Sequence, residues 1–551
     1  MDSFDYIIVG AGSAGCVLAN RLSEDRDAKV LLIEAGGRDR HPFIHMPLAM
    51  RKITFHPRLT WGFATEPEPH CFDRRIPVPR GRVLGGTSSI NAMIYARGHP
   101  LDYDQWRQMG LAGWGYDDVL PYFKRSEQSW RGANEFHGAA GPLKTSPPGI
   151  PSPLYAMFSE AAAKRGFPKS RDYNGAEPEG VAEPEMTIGD GRRFSTARAF
   201  LRPAMTRPNL TVTTDALVHR VVIESGRAVG VELRCDGKVS TVRAEREVVL
   251  SAGTYGSPQL LLLSGVGPAD ELAASGVSPV LDRPSVGRNL QEHVNCFVTF
   301  ELTQPLSLQP MLRADRVTWS SLRWALTRTG AMASFPTSIA AFLRIEPGSE
   351  RPDIELLVSP VAPDGHVWFP GIKKPIGHRF SSRVAVLHPK SRGKVTLRSA
   401  DPAAKPRILW NLFDDPSDLA TLRDGLKAVR GIFAEVPLKD VTDHEIRPGP
   451  DVKSDAEIET WLRQNCETAH HPAGTCRMGA DPDAVVDASL RVNGIESLRV
   501  ADCSVMPHVV GSNTNAPTIM IAEKAADLIL RPSPPRSGGE GGDPSRQRRE
   551  G

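Results

Sequence analysis

The feature that most constrains the fold is a glycine-rich turn between two apolar runs near the start of the chain. Residues 5–9 predict a short buried strand, and Gly10-Ala11-Gly12-Ser13-Ala14-Gly15 follows at once. A helix is predicted over residues 17–22 and a second strand over residues 29–34. This order of strand, turn, helix and strand is typical of a βαβ unit that binds a dinucleotide.

The glycines of this turn have separate physical roles. Gly10 makes the tight turn, Gly12 lets a pyrophosphate approach the backbone because it has no Cβ, and Gly15 lets the helix pack against the strand. The free N–H groups at the helix N-terminus can bind the phosphates. Glu34 lies 19 residues after Gly15 and ends the second strand, where its carboxylate can bind ribose hydroxyls. This pattern alone does not distinguish FAD from NAD.

Length, charge and cysteine usage exclude several classes of protein. A chain of 551 residues predicts two or more domains that share a cleft. The net charge of +3, with dispersed basic residues, gives no indication of a nucleic-acid partner. The seven scattered cysteines contain no CxxC pair, so we expect neither disulfides nor a metal site, and a reducing, cytoplasmic compartment. We expect no signal peptide and no membrane span, with peripheral membrane association left open.

The middle of the chain indicates a flavoprotein rather than a simple NAD dehydrogenase. Short strands are predicted at residues 210–213, 218–223, 229–233, 239–242 and 247–252, followed by a helix at 259–263. An antiparallel insertion of this kind inside a nucleotide-binding domain is typical of flavoproteins. Helices are also predicted within residues 100–130, at 418–433 and at 520–530.

Five further blocks resemble the signatures of the glucose–methanol–choline (GMC) oxidoreductases, flavoenzymes that oxidise alcohols. The first block reads RGRVLGGTSSINAM and the second begins SAGTYGSPQLL. In chain order the blocks cover residues 80–93, 251–268, 468–476, 500–507 and 511–517. The agreement follows the family order and extends from residue 5 to about residue 530.

The resemblance implies an α/β fold, α+β overall, with a Rossmann-type FAD-binding domain and a discontinuous substrate domain of sheet and helices. The expected FAD-binding domain comprises residues 1–150, 200–295 and 485–530, and the substrate domain comprises residues 151–199 and 296–484. Residues 531–551 have no apolar pattern and are expected to be a disordered tail.

The resemblance also implies FAD, with the flavin against the loop from Gly86 to Met93. Some relatives attach the flavin through a histidine in this loop, but the corresponding position here is Ile90 and residues 87–93 contain no histidine. We therefore expect non-covalent FAD. The expected cofactor contacts are Gly10, Gly12, Ser13, Ala14, Gly15, Glu34, Ala35, Gly86, Thr87, Asn91, Ala92, Met93, Ile94, Val218, His470, Ala501, Asp502 and Thr514.

The family's catalytic pair corresponds here to His471 and Asn513. A neutral imidazole can accept the hydroxyl proton while hydride moves to flavin N5, and an amide can hold the substrate oxygen. His470 is adjacent, and neighbouring side chains of an extended segment point to opposite faces, so we expect only one histidine to face the substrate. The family pattern selects His471 as the base and gives His470 a cofactor-packing role.

The resemblance favours an alcohol dehydrogenase of the choline-dehydrogenase-like group, which includes alcohol, polyethylene glycol and sorbose dehydrogenases. The segment from residue 333 to residue 342 carries no acid where choline-specific relatives have one, so we expect a neutral alcohol rather than choline. The electron acceptor, a quinone, an artificial acceptor or oxygen, is left open, as are oxidase or dehydrogenase activity and the oligomeric state. A lyase on the same fold, a choline dehydrogenase, an NAD enzyme and an inactive flavoprotein are the alternatives.

Overall fold

Two seven-stranded β-sheets organise residues 3–530, the part of the chain that the computed structural model describes. The first sheet is largely parallel and the second is antiparallel, and helices pack against both. The predicted mixed α/β fold is confirmed. The tail predicted for residues 531–551 lies outside the described residues.

The first sheet is built around the predicted βαβ unit, whose strands are joined by helix Ser13–Leu22. The sheet is parallel from Leu210–Thr213 through Val30–Ile33 and Ser3–Val9 to Lys238–Leu250. Beyond that strand it continues as an antiparallel meander through Arg227–Cys235 to Leu217–Glu224. The strand order is Leu210–Thr213, Val30–Ile33, Ser3–Val9, Lys238–Leu250, Arg227–Cys235 and Leu217–Glu224, with Leu498–Val500 also paired to Lys238–Leu250.

The prediction of two strands at 239–242 and 247–252 was wrong, because Lys238–Leu250 is one continuous strand. Its first half pairs antiparallel with Arg227–Cys235 and its second half pairs parallel with Ser3–Val9. Charged residues near position 245 interrupt the apolar pattern, which suggested a break between two strands. They lie close to the point where the strand changes partners, and the backbone stays extended there.

The second sheet has one apolar face and one mixed face. Its apolar face, which includes Val298, Leu356 and Val384, packs against helices Pro153–Lys164 and Pro416–Phe433. The alternate residues point to the other face, which borders the cavity described below. The strand order is Thr442–Arg447, Val294–Leu302, Arg379–Val386, Ile354–Ser359, Ile339–Leu343 and Gly180–Ala182, with Glu467–Thr468 also paired to Val294–Leu302.

Shorter elements complete the described chain. The remaining α-helices are Pro42–His45, Met50–Ile53, Pro100–Gln108, Tyr116–Ser126, Arg202–Ala204, Gly253–Leu263, Ala269–Ala274, Ala314–Thr327, Leu438–Val441, Asp455–Asn465 and Asn515–Leu530. The two-stranded ladders are Phe63–Ala64 with Pro77–Val78, Glu127–Gln128 with Leu143–Lys144, Ile188–Gly189 with Arg192–Arg193, Val266–Gly267 with Leu281–Asp282, and Lys394–Thr396 with Arg407–Leu409. No helix within residues 3–530 has the length and hydropathy needed to cross a bilayer.

The terminal helix Asn515–Leu530 begins five residues before its predicted start. Pro517 is tolerated because it lies in the first turn, where a backbone N–H would have no intrahelical acceptor. The helix packs against Ser13–Leu22, and Arg21 forms ion pairs with Glu523 and Asp527 across that contact. The last described helix is thereby fixed to the first βαβ unit.

The predicted domain boundaries remain a prediction, although the strands of the two sheets separate in a compatible way. Each first-sheet strand falls within residues 1–150, 200–295 or 485–530. Strand Val294–Leu302 of the second sheet crosses the predicted boundary at residue 295.

The turn at Gly10 and Gly15 is constrained by close backbone packing. Gly10 has φ +99°, in the left-handed region. A Cβ atom on Gly15 would lie 1.8 Å from the carbonyl oxygen of Gly10, so the helix can approach the strand only with glycine there. A Cβ atom on Gly12 would meet only the carbonyl oxygen of Ser251, at 3.9 Å.

We expect Gly15→Ala to lower the free energy of unfolding by about 1–3 kcal/mol, because the helix must move away from the strand to admit the methyl group. The measurement is urea unfolding followed by far-ultraviolet circular dichroism. Gly12→Ala is the matched control, and we expect its stability to change by less than about 0.5 kcal/mol. Equal losses in the two variants would contradict this interpretation of the turn.

Candidate active site

A cavity of about 990 Å³ is lined by residues of both sheets and of the loops between them. Its volume lies at the upper end of the range for small-molecule sites. One end is formed by the glycine turn and Glu34, and the other by His471 and Asn513. The cavity therefore joins the predicted nucleotide site to the predicted catalytic pair.

Two helices begin at the cavity wall. Gly12, at the N-cap of Ser13–Leu22, provides no side-chain hydrogen bond, so the first-turn N–H groups remain available to an anion. Thr514 lies at the start of helix Asn515–Leu530 and also lines the cavity. Both N-termini place partial positive charge at the wall.

The two glycine-rich blocks are in direct contact. A Cβ atom on Gly86 would lie 2.7 Å from the Cα atom of Gly12, and Gly86 has φ +52°. Gly86 also begins the short 3₁₀ helix Gly86–Ser89, which leads to Asn91 and Met93. The backbone contact places the second block beside the nucleotide turn, and residues of both blocks line one continuous cavity.

Glu34 lies at the predicted ribose end, and both of its carboxylate oxygens already accept backbone hydrogen bonds. Oε2 accepts the N–H of Ala11 at 2.9 Å and Oε1 accepts that of Gly36 at 2.8 Å. Burial raises the pKa of Glu34 to about 7. Each oxygen keeps a second lone pair, so the side chain can stabilise the turn and still accept a ligand hydroxyl.

The buried guanidinium of Arg193 organises the loop from Gly86 to Met93, and sequence reasoning missed it. Its Nη1 donates to the backbone oxygen of Asn91 at 2.7 Å, and its Nε donates to that of Ile44 at 2.9 Å. Burial lowers the pKa of Arg193 to about 9. Nothing in the sequence distinguishes Arg193 from the neighbouring Arg192.

His471 and Asn513, predicted as a pair, are in contact. The Nε2 atom of His471 lies 2.9 Å from Nδ2 of Asn513. The backbone N–H of His471 donates to Oε1 of Glu292 at 2.6 Å. Both side chains are buried and both line the cavity.

His293 completes this cluster and was also missed. Its Nδ1 lies 3.0 Å from Nδ1 of His471, with the two rings nearly perpendicular. His293 and Glu292 immediately precede strand Val294–Leu302, which aims them at a segment 178 residues away. The available signal was the polar triplet Gln291-Glu292-His293 before an alternating apolar pattern.

Burial keeps the imidazoles of this site neutral. It lowers the pKa of His471 well below the usual value, and His293 and Arg383 lower it further. Burial likewise lowers the pKa of His293 and of His470 to about 3. Burial raises the pKa of Glu292 to about 7. An unprotonated His471 is the form that can accept a proton.

Both His470 and His471 line the cavity, and the prediction that only one of them faces the substrate stays a prediction. His470 has φ +66°, so the segment is not extended there and the alternation of side chains is lost. The Nδ1 atom of His470 is buried without a hydrogen-bond partner.

Most of the expected cofactor contacts line the cavity, and two do not. Gly15 packs behind the turn, and Ala501 joins strands, because its N–H donates to the carbonyl of Leu250 and its own carbonyl accepts from the Ser251 hydroxyl. The residues that line the cavity are Gly10, Gly12, Ser13, Ala14, Glu34, Ala35, Gly86, Thr87, Asn91, Ala92, Met93, Ile94, Val218, His470, Asp502 and Thr514.

The cavity fits a dinucleotide with a polar ring system at its far end. The surface above Gly12 is open, and two helix N-termini can receive phosphate or ring oxygens. Two polar atoms at the catalytic end are buried without hydrogen-bond partners, namely Oδ1 of Asn513 and Nδ1 of His470. Such atoms are expected where a bound molecule supplies the missing hydrogen bonds.

Comparison with known proteins agrees with this geometry. Residues 4–295 and 389–522 match the two family models described as GMC oxidoreductase. An oxygen-dependent choline dehydrogenase of Rhizobium etli is 45% identical over 96% of this chain and 96% of its own length. The corresponding protein of Sinorhizobium fredii is 44% identical with the same coverage.

Solved structures of two oxidases have the same fold. Pyridoxine 4-oxidase from Mesorbium loti superposes with a TM-score of 0.85 and 33% identity, over 95% of this chain and 99% of that one. A formate oxidase of Aspergillus oryzae, studied for FAD modification, superposes with a TM-score of 0.88 and 28% identity over 96% and 98% of the two chains.

Proposed function

Because the chain belongs to the GMC oxidoreductases and is an FAD-dependent oxidoreductase of the alcohol type, we propose that it oxidises a primary or secondary alcohol to an aldehyde or ketone. His471 accepts the hydroxyl proton and Asn513 holds the substrate oxygen. The contact between these two side chains at the cavity wall carries the proposal. A base and a hydrogen-bond donor side by side can act on one hydroxyl group.

The hydrogen bonds around His471 define which nitrogen is the base. In the present orientation of the Asn513 amide, Nδ2 donates to Nε2 of His471, so Nε2 carries the lone pair. The imidazole proton then lies on Nδ1 and is donated to Nδ1 of His293. A substrate hydroxyl that replaces this amide contact would meet an unprotonated nitrogen.

Glu292 and His293 act as positioning residues for His471. One accepts its backbone N–H and the other accepts its ring N–H, so the imidazole is held both at the main chain and at the far ring nitrogen. When Nε2 takes a proton, the lone pair of His293 stabilises the imidazolium through this short contact.

The residues that line the cavity indicate how FAD would be held. The Gly10–Gly15 turn would receive the pyrophosphate, Glu34 would receive the ribose, and the Gly86–Met93 loop would hold the flavin. When bound, FAD supplies the hydride acceptor. Non-covalent attachment is supported by Ile90, which lines the cavity where some relatives use a histidine.

We infer that the substrate is an alcohol without a cationic group. Phe335 and Thr337, from the segment without an acidic residue, line the cavity. Choline is the second candidate, because relatives that are 45% identical to this chain are named oxygen-dependent choline dehydrogenases. The subgroup favours a dehydrogenase that passes electrons to a quinone or another acceptor.

Acid precipitation should separate the cofactor from the protein. We expect all of the flavin in the supernatant and a colourless pellet, because no side chain of the 87–93 loop offers the histidine used for attachment in some relatives. The measurement is the flavin absorbance of the two fractions. A pellet that remains yellow after washing would contradict non-covalent binding.

Anaerobic mixing with a panel of primary and secondary alcohols, including choline, tests the reaction. We expect neutral alcohols to bleach the flavin band faster than choline, and His471→Ala to slow the bleaching by roughly 10²–10⁴-fold, the usual contribution of a general base. His470→Ala is the matched control because His470 is adjacent and also lines the cavity, and we expect it to slow the reaction much less.

The alternatives give different results in the same experiment. Bound FAD with no bleaching by any alcohol would favour the lyase, and faster bleaching by choline would favour the second candidate. Full activity in His471→Ala would contradict the assignment of the base.

The titration of His471 should not limit flavin reduction until an unusually acidic pH. The base must be neutral, and burial lowers the pKa of His471 well below the ordinary value of 6.5. Glu292 contacts the backbone of His471 and has a pKa of about 7, so the profile is measured in Glu292→Gln, where this group no longer titrates. We expect the limiting rate constant of that variant to be flat between pH 8 and 6.5 and to fall only below that range, with circular dichroism at each pH as the check of folding. A decline above pH 6.5 in Glu292→Gln would contradict a neutral, buried base.

A further inference from the structure

The mixed face of the second sheet places polar groups in two adjacent rows beside the catalytic pair. In one row Asn295, Ala385 and Glu355 are cross-strand neighbours. In the next row Phe297 and Leu357 flank Arg383. Because side chains at alternate positions share a face, both rows point to the same side of the sheet.

Arg383 is only partly satisfied by the protein. Its Nη2 donates to Oε2 of Glu355 at 2.9 Å, whereas its Nε is buried and has no hydrogen-bond partner. The side chain lines the cavity and is 15% exposed, while that of Glu355 is fully buried. Glu355 partly neutralises the guanidinium, and its own Oε1 is buried without a hydrogen-bond partner, so this row offers an unused acceptor beside the unused donor of Arg383.

Asn295 adds a second unsatisfied group. It is 1% exposed, lines the cavity, and neither Oδ1 nor Nδ2 has a partner. Ala385, between Asn295 and Glu355, has a short side chain that leaves space in that row. A buried amide and a guanidinium nitrogen without partners are expected where a ligand supplies acceptors.

This subsite lies within reach of the catalytic base. Asn295 lies on strand Val294–Leu302, two residues after His293, a separation of about 7 Å along the chain, and His293 contacts His471. A molecule of four or five carbon atoms can therefore place a carbinol at His471 and a second polar group at Asn295 or Arg383.

We propose that Arg383 and Asn295 form a specificity subsite for a second oxygen atom of the substrate, so that the substrate is a polyol or a hydroxy carboxylate. This inference rests on the proposed function and specifies its substrate class. Hydroxyl and carboxylate oxygens can accept from both side chains. An alkyl alcohol would leave these donors unpaired, and a quaternary ammonium group would bring a second positive charge to Arg383 without accepting a hydrogen bond.

Other charged groups of the cavity do not replace this subsite. Asp364 and Glu467 line it as well, but Asp364 is ion-paired with Arg379. Glu467 lies on the short strand Glu467–Thr468 and is exposed. On the mixed sheet face, Nε of Arg383, both amide atoms of Asn295 and Oε1 of Glu355 are buried without hydrogen-bond partners.

The test is anaerobic flavin reduction by four matched alcohols: butan-1-ol, butane-1,4-diol, 4-hydroxybutyrate and choline. The rate constant of reduction divided by the apparent Kd is measured for each alcohol with the holoenzyme. We expect the diol or the hydroxy acid to exceed butan-1-ol by at least tenfold and choline to be the poorest. A preference for the hydroxy acid identifies a carboxylate substrate, and a preference for the diol identifies a polyol.

Variants test whether Arg383 causes this preference. We expect Arg383→Met to lower the ratio of the preferred substrate to butan-1-ol by at least tenfold, and Arg383→Lys to retain part of it. Arg379→Met is the matched control, since Arg379 is on the same strand and does not line the cavity. Removing Arg383 leaves the buried carboxylate of Glu355 unpaired, which can destabilise the fold. The double variant Arg383→Met with Glu355→Gln removes both charges, and we expect it to lose the same preference.

Two outcomes would overturn the inference. One is equal reduction by butan-1-ol, diol and hydroxy acid. The other is a preference that survives both in folded Arg383→Met and in the double variant Arg383→Met with Glu355→Gln. In either case the alcohol oxidation proposed above would stand, whereas reduction by none of the alcohols would contradict that proposed function itself.

Discussion

The pairing of strand Ser3–Val9 with the second half of Lys238–Leu250 determines where the rest of the site forms. This parallel ladder, extended by Val30–Ile33 on one side and Leu498–Val500 on the other, brings four carboxyl ends to one edge of the first sheet. The residues that follow these ends are the glycine turn, Glu34, Ser251 and Asp502, and all four line the cavity. A ligand site at the carboxyl edge of parallel strands is the general outcome of this topology.

The catalytic end depends on the second sheet in a different way. There His293, the partner of His471, directly precedes strand Val294–Leu302. From Asn295 onward, alternate residues of this strand contribute to the mixed sheet face. Because the positioning residues Glu292 and His293 lead directly into the strand that carries the sheet face, small movements of this segment would change proton transfer and substrate fit together. Burial makes the base available in its neutral form, and the same burial leaves polar atoms such as Oδ1 of Asn513 unsatisfied until a ligand binds.

The parts of the molecule that could be predicted from sequence are those with local determinants. The glycine turn, its helix and Glu34 lie within about 30 residues and follow backbone rules, and the pair His471 and Asn513 was found through family resemblance alone. Arg193 and Arg383 gave no such signal, and His293 gave only a polar triplet before a strand, because their roles come from the register of distant strands and from burial. The error over residues 239–252 has the same origin, because strand Lys238–Leu250 changes partners midway.

The fixing of helix Asn515–Leu530 to helix Ser13–Leu22 has a consequence for how the enzyme matures. Asp502 and Cys503, which follow strand Leu498–Val500, and residues 513–515 and 518 line the cavity, and they leave the ribosome last among the segments that line it. The glycine turn is therefore synthesised long before its site can close. Cofactor loading is thus a late event in biogenesis, and a polypeptide stalled before residue 498 would expose apolar surface of the first sheet for chaperones to cover.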